Sequence, residues 1–429
     1  MIVLTINGQA GAPVYLGWSS RPASLKLSVA QPQATQVIIK TVSAPATGDV
    51  GFSVNRNSHP AATLAVTVPA NGTSVNFFVS GTRASTENQD VTILVTDAGT
   101  GATLLQQTVM VRVRKNANGL SVAERNRFLA AIAKFNATTG TPRYQDFLDM
   151  HNAAANTEIH TSSATPRYSF LVWHRAFILD LERQLQKIDP SVSLPYWKFD
   201  EVADKVFTAD FMGAAMASGT LVFNASNPLS HWAINGRTGI VRKPIFNVQT
   251  GSGLDPRIGM ISEKATIGLG TTYKKFAPQA EQNPHGNAHE SFSIGPITNI
   301  TTATQDPIFY LLHANVDRLW ALWQQVHNRY DITSVSTYPL KGAYPGQGRN
   351  HVGDFLQDTM WPWNGDTSHS GSTRPPTAPG GPFPALANLA PSVAPQVWQM
   401  IDYQGYAAAD DASDVDYDSI NFNLQNVTV

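Results

Sequence analysis

Three histidines fall at spacings that allow them to share one metal ion. His285 and His289 lie four residues apart in NPHGNAHESF, so a helix sets both imidazoles on one face, a turn from each other. Downstream, QDPIFYLLHANVDRLWALWQ opens with Asp306-Pro307, a good N-cap followed by a residue suited to the first helical position. The helix it starts carries His313. Two imidazoles from one helix and a third from the next make a three-nitrogen site. Neutral imidazole suits copper, zinc, iron and nickel alike, so the spacing leaves the metal open. Gly286 rather than Glu follows His285, which separates this pair from the HExxH of zinc proteases.

A second group of histidines lies upstream. TPRYQDFLDMHN reads as a helix that delivers His151 near its end. Residues 168–188 read as a long amphipathic helix, with Phe170, His174, Phe177, Leu181 and Leu185 recurring at three and four residues. Arg175, Asp180, Glu182, Arg183 and Lys187 fill its other face. A histidine on the apolar stripe is notable, because burying imidazole without a partner is costly. His160 stands between these helices in NTEIHTSSATPRYSF, while His59 and His231 read as loop histidines.

The elements that must position these side chains occupy the later part of a chain of 429 residues, a length that predicts more than one domain. Charged residues make up 14% and the formal net charge is -1, which argues against nucleic acid or an anionic membrane as partner. No apolar run approaches the ~18 residues of a membrane span. The start, MIVLTINGQAGAP, shows no basic region and cleavage site of a signal peptide. Cysteine is absent, which removes disulfides, thiolate metal sites and iron-sulfur clusters, so copper, if bound, must be held by histidine.

Residues 1–114 alternate in short runs, at 24–29, 63–68, 74–80, 90–96 and 108–114, separated by turn residues. That pattern predicts an antiparallel β-sandwich of immunoglobulin-like kind. Residues 115–119 read as a polar linker, after which Ser121-Val122-Ala123-Glu124 forms a capping box opening the first helix of a domain covering 120–429. Residues 202–280 read as a long wrapping loop with short helices. Residues 372–384 read as a surface linker, the aspartates at 410, 411, 414, 416 and 418 as a solvated stretch, and 419–427 as a final strand.

Together WHRAFILDLE, PHGNAH and DPIFYLLHANVDRLW resemble the two copper-binding halves of the tyrosinase, catechol oxidase and haemocyanin family, the type 3 copper proteins. The resemblance spans roughly residues 120–410. It implies a four-helix bundle holding two copper ions, each on three histidines, and dioxygen-dependent oxidation of small phenols: o-diphenols to o-quinones, with hydroxylation of monophenols as a further activity. Copper B then falls on His285, His289 and His313, and copper A on His151, His174 and a middle ligand. Relatives usually place that ligand nine residues before the WHR histidine, where this chain has Thr165. His160, fourteen residues before His174, is the substitute. The resemblance further casts Glu281 as the carboxylate that orients a water to take the phenol proton. Asp317, one turn past His313, is spaced to accept the free ring N–H of that histidine. Gly286 stands where strong monophenol hydroxylases often have Asn, which favours diphenols. The alternatives are a haemocyanin-like oxygen carrier and a binding module with a degenerate copper A site.

Overall fold

Period-two burial builds the first part of the chain. Its strands are β1 (Ile2–Ile6), β2 (Gln9–Ala10), β3 (Tyr15–Leu16), β4 (Arg21–Leu27), β5 (Thr35–Val42), β6 (Asp49–Ser53), β7 (Thr63–Val68), β8 (Val75–Arg83), β9 (Val91–Asp97) and β10 (Thr103–Val111). They form two five-stranded sheets, ordered β2-β1-β4-β8-β6 and β3-β10-β9-β5-β7. Alternate residues from both sheets, among them Leu4, Leu25, Phe52, Phe77, Ile39, Ile93 and Val109, close one apolar core. Glycine is required at Gly81, where a Cβ would lie 2.5 Å from Val111 Cγ1 and 2.8 Å from the Gly17 carbonyl oxygen. The five alternating runs fall on β4, β7, β8, β9 and β10. They omit β1, β5 and β6.

The structure is a computed structural model that describes the chain except residues 141, 156–158, 161–167, 247–258, 341–352, 354, 366–380, 386–388, 407–412, 414 and 421–429. It divides into two compact units: Met1–Arg114 with Ala387–Ala390 and Tyr403–Val429, and Lys115–Leu386 with Pro391–Asp402. The boundary drawn from sequence left everything after residue 120 in one domain. The chain from Tyr403 on belongs with the β unit because its backbone is hydrogen-bonded there. The Trp18 indole donates to the Tyr417 carbonyl at 2.9 Å, and Arg114 N donates to the Asp416 carbonyl at 2.7 Å. Asp416 is therefore not solvated. It is buried, and its carboxylate accepts from Trp18 N at 2.9 Å and Gln404 Nε2 at 2.7 Å. Most of the proposed linker at 372–384 and the strand at 419–427 lie outside the described residues.

The second unit is mainly helical. Its helices are α1 (Val122–Asn136), α2 (Tyr144–Ala155), α3 (Ser169–Ile188), α4 (Glu263–Ile267), α5 (Tyr273–Ala280), α6 (Asn287–Glu290), α7 (Ile308–His327) and α8 (Val397–Ile401). Ser121 caps α1 as a capping box: Glu124 N donates to Ser121 Oγ at 3.2 Å and Ser121 N to the Glu124 carboxylate at 2.9 Å. Residues 115–119 are not a free linker, since Ala117–Gly119 form a short 3-10 turn and Lys115 pairs with Glu124. The Asp306 carboxylate accepts from Ile308 N at 3.1 Å at the head of α7 and pairs with buried Arg242 at 2.6 Å. Between α3 and α4 the described residues make short turns and two-residue strands. None of the described helices is long and apolar enough to cross a membrane.

α3 and α7 pack against each other at the centre of this unit. The amphipathic reading of α3 fails on its polar side. Every residue from Ser169 to Gln186 is buried, Arg175, Asp180, Glu182 and Arg183 included. Arg175, Asp180, Glu182 and Arg183 each have a specific partner, as burial demands. Arg183 donates to the carbonyls of Pro384 and Pro391 at 3.1 and 2.7 Å, Glu182 accepts from Leu194 N at 2.7 Å, and Asp180 accepts from the Trp363 indole at 2.7 Å. Arg175 reaches α7: its Nε meets Asp317 Oδ1 at 2.5 Å, its Nη1 meets Gln324 Oε1 at 3.0 Å and the Met400 carbonyl at 2.5 Å, and its guanidinium stacks over Trp320 at 3.7 Å.

Removing one partner of such a buried pair leaves a charge without compensation. Asp317→Ala should therefore destabilise the helical unit by about 3–5 kcal/mol. Paired replacement of Arg175 by Met and Asp317 by Leu should recover much of that loss. Denaturant titration of the copper-free protein reads both.

Candidate metal centre

Six histidines come together in two clusters, His151 with His160 and His174, and His285 with His289 and His313. Within each, one ligand nitrogen per residue lies within 4.8 Å of the others. That is near enough for one ion, ~2 Å from each donor, to draw on all three. α2 carries His151, α3 carries His174 and α7 carries His313. The helical run from α5 widens into a π-type turn at Glu281–Gly286 that delivers His285, and α6 delivers His289. His160 sits on a bend between α2 and α3.

The clusters face each other. The rings of His174 and His313 stack with centroids 4.3 Å apart and an interplanar angle of 13°, and His160 lies 6.3 Å from His285. Two phenylalanines border both clusters, each four residues before a histidine. Phe170 contacts His174 and His285 at 4.6 Å and His160 at 5.3 Å, while Phe309 contacts His313 at 4.1 Å and His151 at 4.9 Å. Period analysis assigned Phe170 to the core, and no local pattern marked Phe309.

Backbone carbonyls settle the tautomers of three rings. Nδ1 of His174 lies 2.8 Å from the Phe170 carbonyl, Nδ1 of His285 lies 2.8 Å from the Glu281 carbonyl, and Nδ1 of His289 lies 2.7 Å from the Ile297 carbonyl. A carbonyl only accepts, so each Nδ1 carries the proton and each Nε2 keeps its lone pair. Nε2 of His151, His160, His174 and His285 is buried without a hydrogen-bond partner, and Nε2 of His289 faces Nε2 of His313 at 3.4 Å. Converging, unpartnered imidazole nitrogens are a donor set for a metal that favours nitrogen. Asp317 does not serve His313 as the sequence reading expected. Its carboxylate pairs with Arg175, and His313 Nδ1 has no hydrogen-bond partner.

Burial drives the electrostatics. Desolvation, with repulsion from neighbouring imidazoles, holds the pKa values of His151, His174, His285 and His313 well below the usual histidine value. His289 is lowered to about 4, first by desolvation. These five rings are thus neutral at physiological pH, the form that binds a metal. Glu281 is buried, with Oε1 3.5 Å from His160 Nδ1. His231 is exposed and joins neither cluster, and Thr165 lies outside the described residues.

A sequence model described as "Common central domain of tyrosinase" matches residues 141–326, which contain all six histidines. The tyrosinase of Streptomyces antibioticus is 31% identical over 59% of this chain and 94% of its own length. The chain belongs to the tyrosinase family of type 3 copper proteins. The tyrosinase of Streptomyces glaucescens is 32% identical over 60% of this chain and 93% of its own. A haemocyanin of Enteroctopus dofleini, units Ode to Odg, is 26% identical over 53% of this chain and 19% of its own. The tyrosinase family uses two copper ions, and the two histidine clusters fit that pair.

Because folded His289 resists protonation until about pH 4 while an unfolded histidine protonates near 6.5, the unfolded chain takes up more protons between these values. The other depressed histidines act in the same direction. The copper-free protein should therefore be most stable above pH 6.5 and lose stability progressively as pH falls toward 4. Thermal unfolding across that range checks the sign.

Proposed function

We propose that this protein is a dicopper oxidase that uses dioxygen to convert o-diphenols to o-quinones, with slower hydroxylation of monophenols. The observation that carries the reading is the pair of facing three-histidine clusters joined by the stacked rings of His174 and His313. His151, His160 and His174 are the residues proposed to hold copper A, and His285, His289 and His313 those for copper B. In the same reading the β unit is an immunoglobulin-like sandwich, and the helices carrying the ligands form a four-helix bundle.

When bound, the two coppers supply the redox capacity that passes electrons from phenol to dioxygen. Two diphenols give up the four electrons and four protons that convert one dioxygen to two waters. The protein's own part is geometric and dielectric. Helices fix five of the imidazoles, carbonyls set the protons of three of them on Nδ1, and Phe170 and Phe309 keep water from the space between the clusters. Glu281, beside His160, is the carboxylate proposed to orient the water that takes the phenol proton.

Gly286 bears on the preference for diphenols. Its backbone is helical (φ -57, ψ -44), and a Cβ there would meet only the Glu281 carbonyl oxygen, at 3.6 Å. A side chain therefore fits. Gly286→Asn should raise monophenol turnover several-fold relative to diphenol turnover while both coppers stay bound. Turnover of tyrosine against its diphenol counterpart measures the ratio.

The central test combines copper content with oxygen uptake on 4-methylcatechol. About two coppers per chain with rapid uptake supports the oxidase. Two coppers with reversible oxygen binding and no turnover would favour a haemocyanin-like carrier, and fewer than two would favour a binding module. His160→Ala should leave about one copper per chain and abolish oxidation, because a hydroxyl such as Thr165 is a poor substitute for imidazole.

A further inference from the structure

Five of the six histidines sit on helices or on the turn continuous with one, and three are tied to a backbone carbonyl. Among the described residues His160 has neither support. It lies on a bend, outside any helix. A ring on such a segment can rotate or withdraw unless a side chain holds it. Among the described residues, the charged side chain at its Nδ1 is Glu281, whose Oε1 lies 3.5 Å away, with only 13% and 9% of the two side chains exposed. Little water intervenes to screen the attraction between them.

We propose that Glu281 is a positioning residue for copper A: its carboxylate holds the Nδ1 edge of His160 so that Nε2 points into the first histidine cluster. A carboxylate offers only acceptors to a ring N–H, so it selects the tautomer with the proton on Nδ1. That leaves the lone pair on Nε2, the His160 atom that is buried without a hydrogen-bond partner. The negative charge also makes the imidazole a stronger donor. The same residue serves the other cluster through its main chain, since its carbonyl meets His285 Nδ1 at 2.8 Å. Glu281 thus supports one ligand of each copper by chemically separate groups, and substitution removes only one of them. A carboxylate has about four acceptor positions, so holding His160 does not exhaust its capacity to orient a water.

This inference rests on the dicopper reading, and the experiment separates the two. The copper-loaded protein is titrated with EDTA and copper retention is counted, for the wild type and for Glu281→Ala, Glu281→Gln, His160→Ala and the Glu281→Ala/His160→Ala double variant. Glu281→Ala should release one copper at ~10–100-fold lower EDTA than the wild type and the other at the wild-type concentration. Glu281→Gln, whose amide oxygen still accepts an N–H, should fall between. In the His160→Ala background, Glu281→Ala should not change the retention of the remaining copper, an outcome that general structural damage would not produce. Both coppers leaving Glu281→Ala at wild-type EDTA would overturn the proposal while leaving the dicopper reading intact. So would parallel weakening of both coppers, or a further loss in the double variant. A wild type that never holds two coppers would overturn the dicopper reading and this inference with it.

Discussion

The ion pair between Arg175 and Asp317 is made where neither partner can reach water, at side-chain exposures of 0% and 2%, so its geometry has to be satisfied by the fold itself. It joins the two long helices at the level of the metal centre. Arg175 directly follows His174, and Asp317 stands one turn beyond His313. A relative shift of α3 and α7 would break the pair, unstack the guanidinium from Trp320 and separate the stacked imidazoles together. Gln324 and the Met400 carbonyl take further guanidinium donors, which brings α8 into the same arrangement. Breaking a buried pair by removing one partner is much costlier than its net contribution, so the register of the two helices is held by the penalty for leaving it.

Around that frame the two clusters are built alike. Phe170 and His174 on α3 repeat the spacing of Phe309 and His313 on α7, and each phenylalanine reaches across to the opposite cluster. The apolar walls lower the local dielectric, which depresses the histidine pKa values, which keeps the rings neutral and ready to donate. Packing and ligand chemistry are therefore one arrangement here.

Much of this was legible in the residues. The spacing of His285, His289 and His313, the periodic stripe of α3, the capping box before α1 and the alternation in β4 and β7–β10 are local signals, and local signals survive without knowledge of the fold. What was not legible depended on distant chain. Arg175, Asp180, Glu182 and Arg183 read as a solvated face because periodicity records polarity, not what later folds over it. The carbonyls of Pro384 and Pro391 and the Trp363 indole, about 200 residues away, cover that face. Asp416 looked like one of a solvated run for the same reason, since its partners Trp18 and Arg114 lie far back along the chain, among and just after the β strands. β6 escaped because DVGFS is buried on both sides at most positions and so does not alternate. The role expected of Asp317 was drawn from its spacing to His313, and the nearer claim of Arg175 could not be seen along the sequence.

The carbonyl contacts at His174, His285 and His289 have an evolutionary side. A main-chain oxygen is present whatever residue is encoded, so drift cannot delete these supports by a single codon change. The described contact at His160 Nδ1 is instead the carboxylate of Glu281, which one substitution removes. Under relaxed selection the orientation of His160 is therefore more open to drift than that of the three rings held by main-chain oxygens.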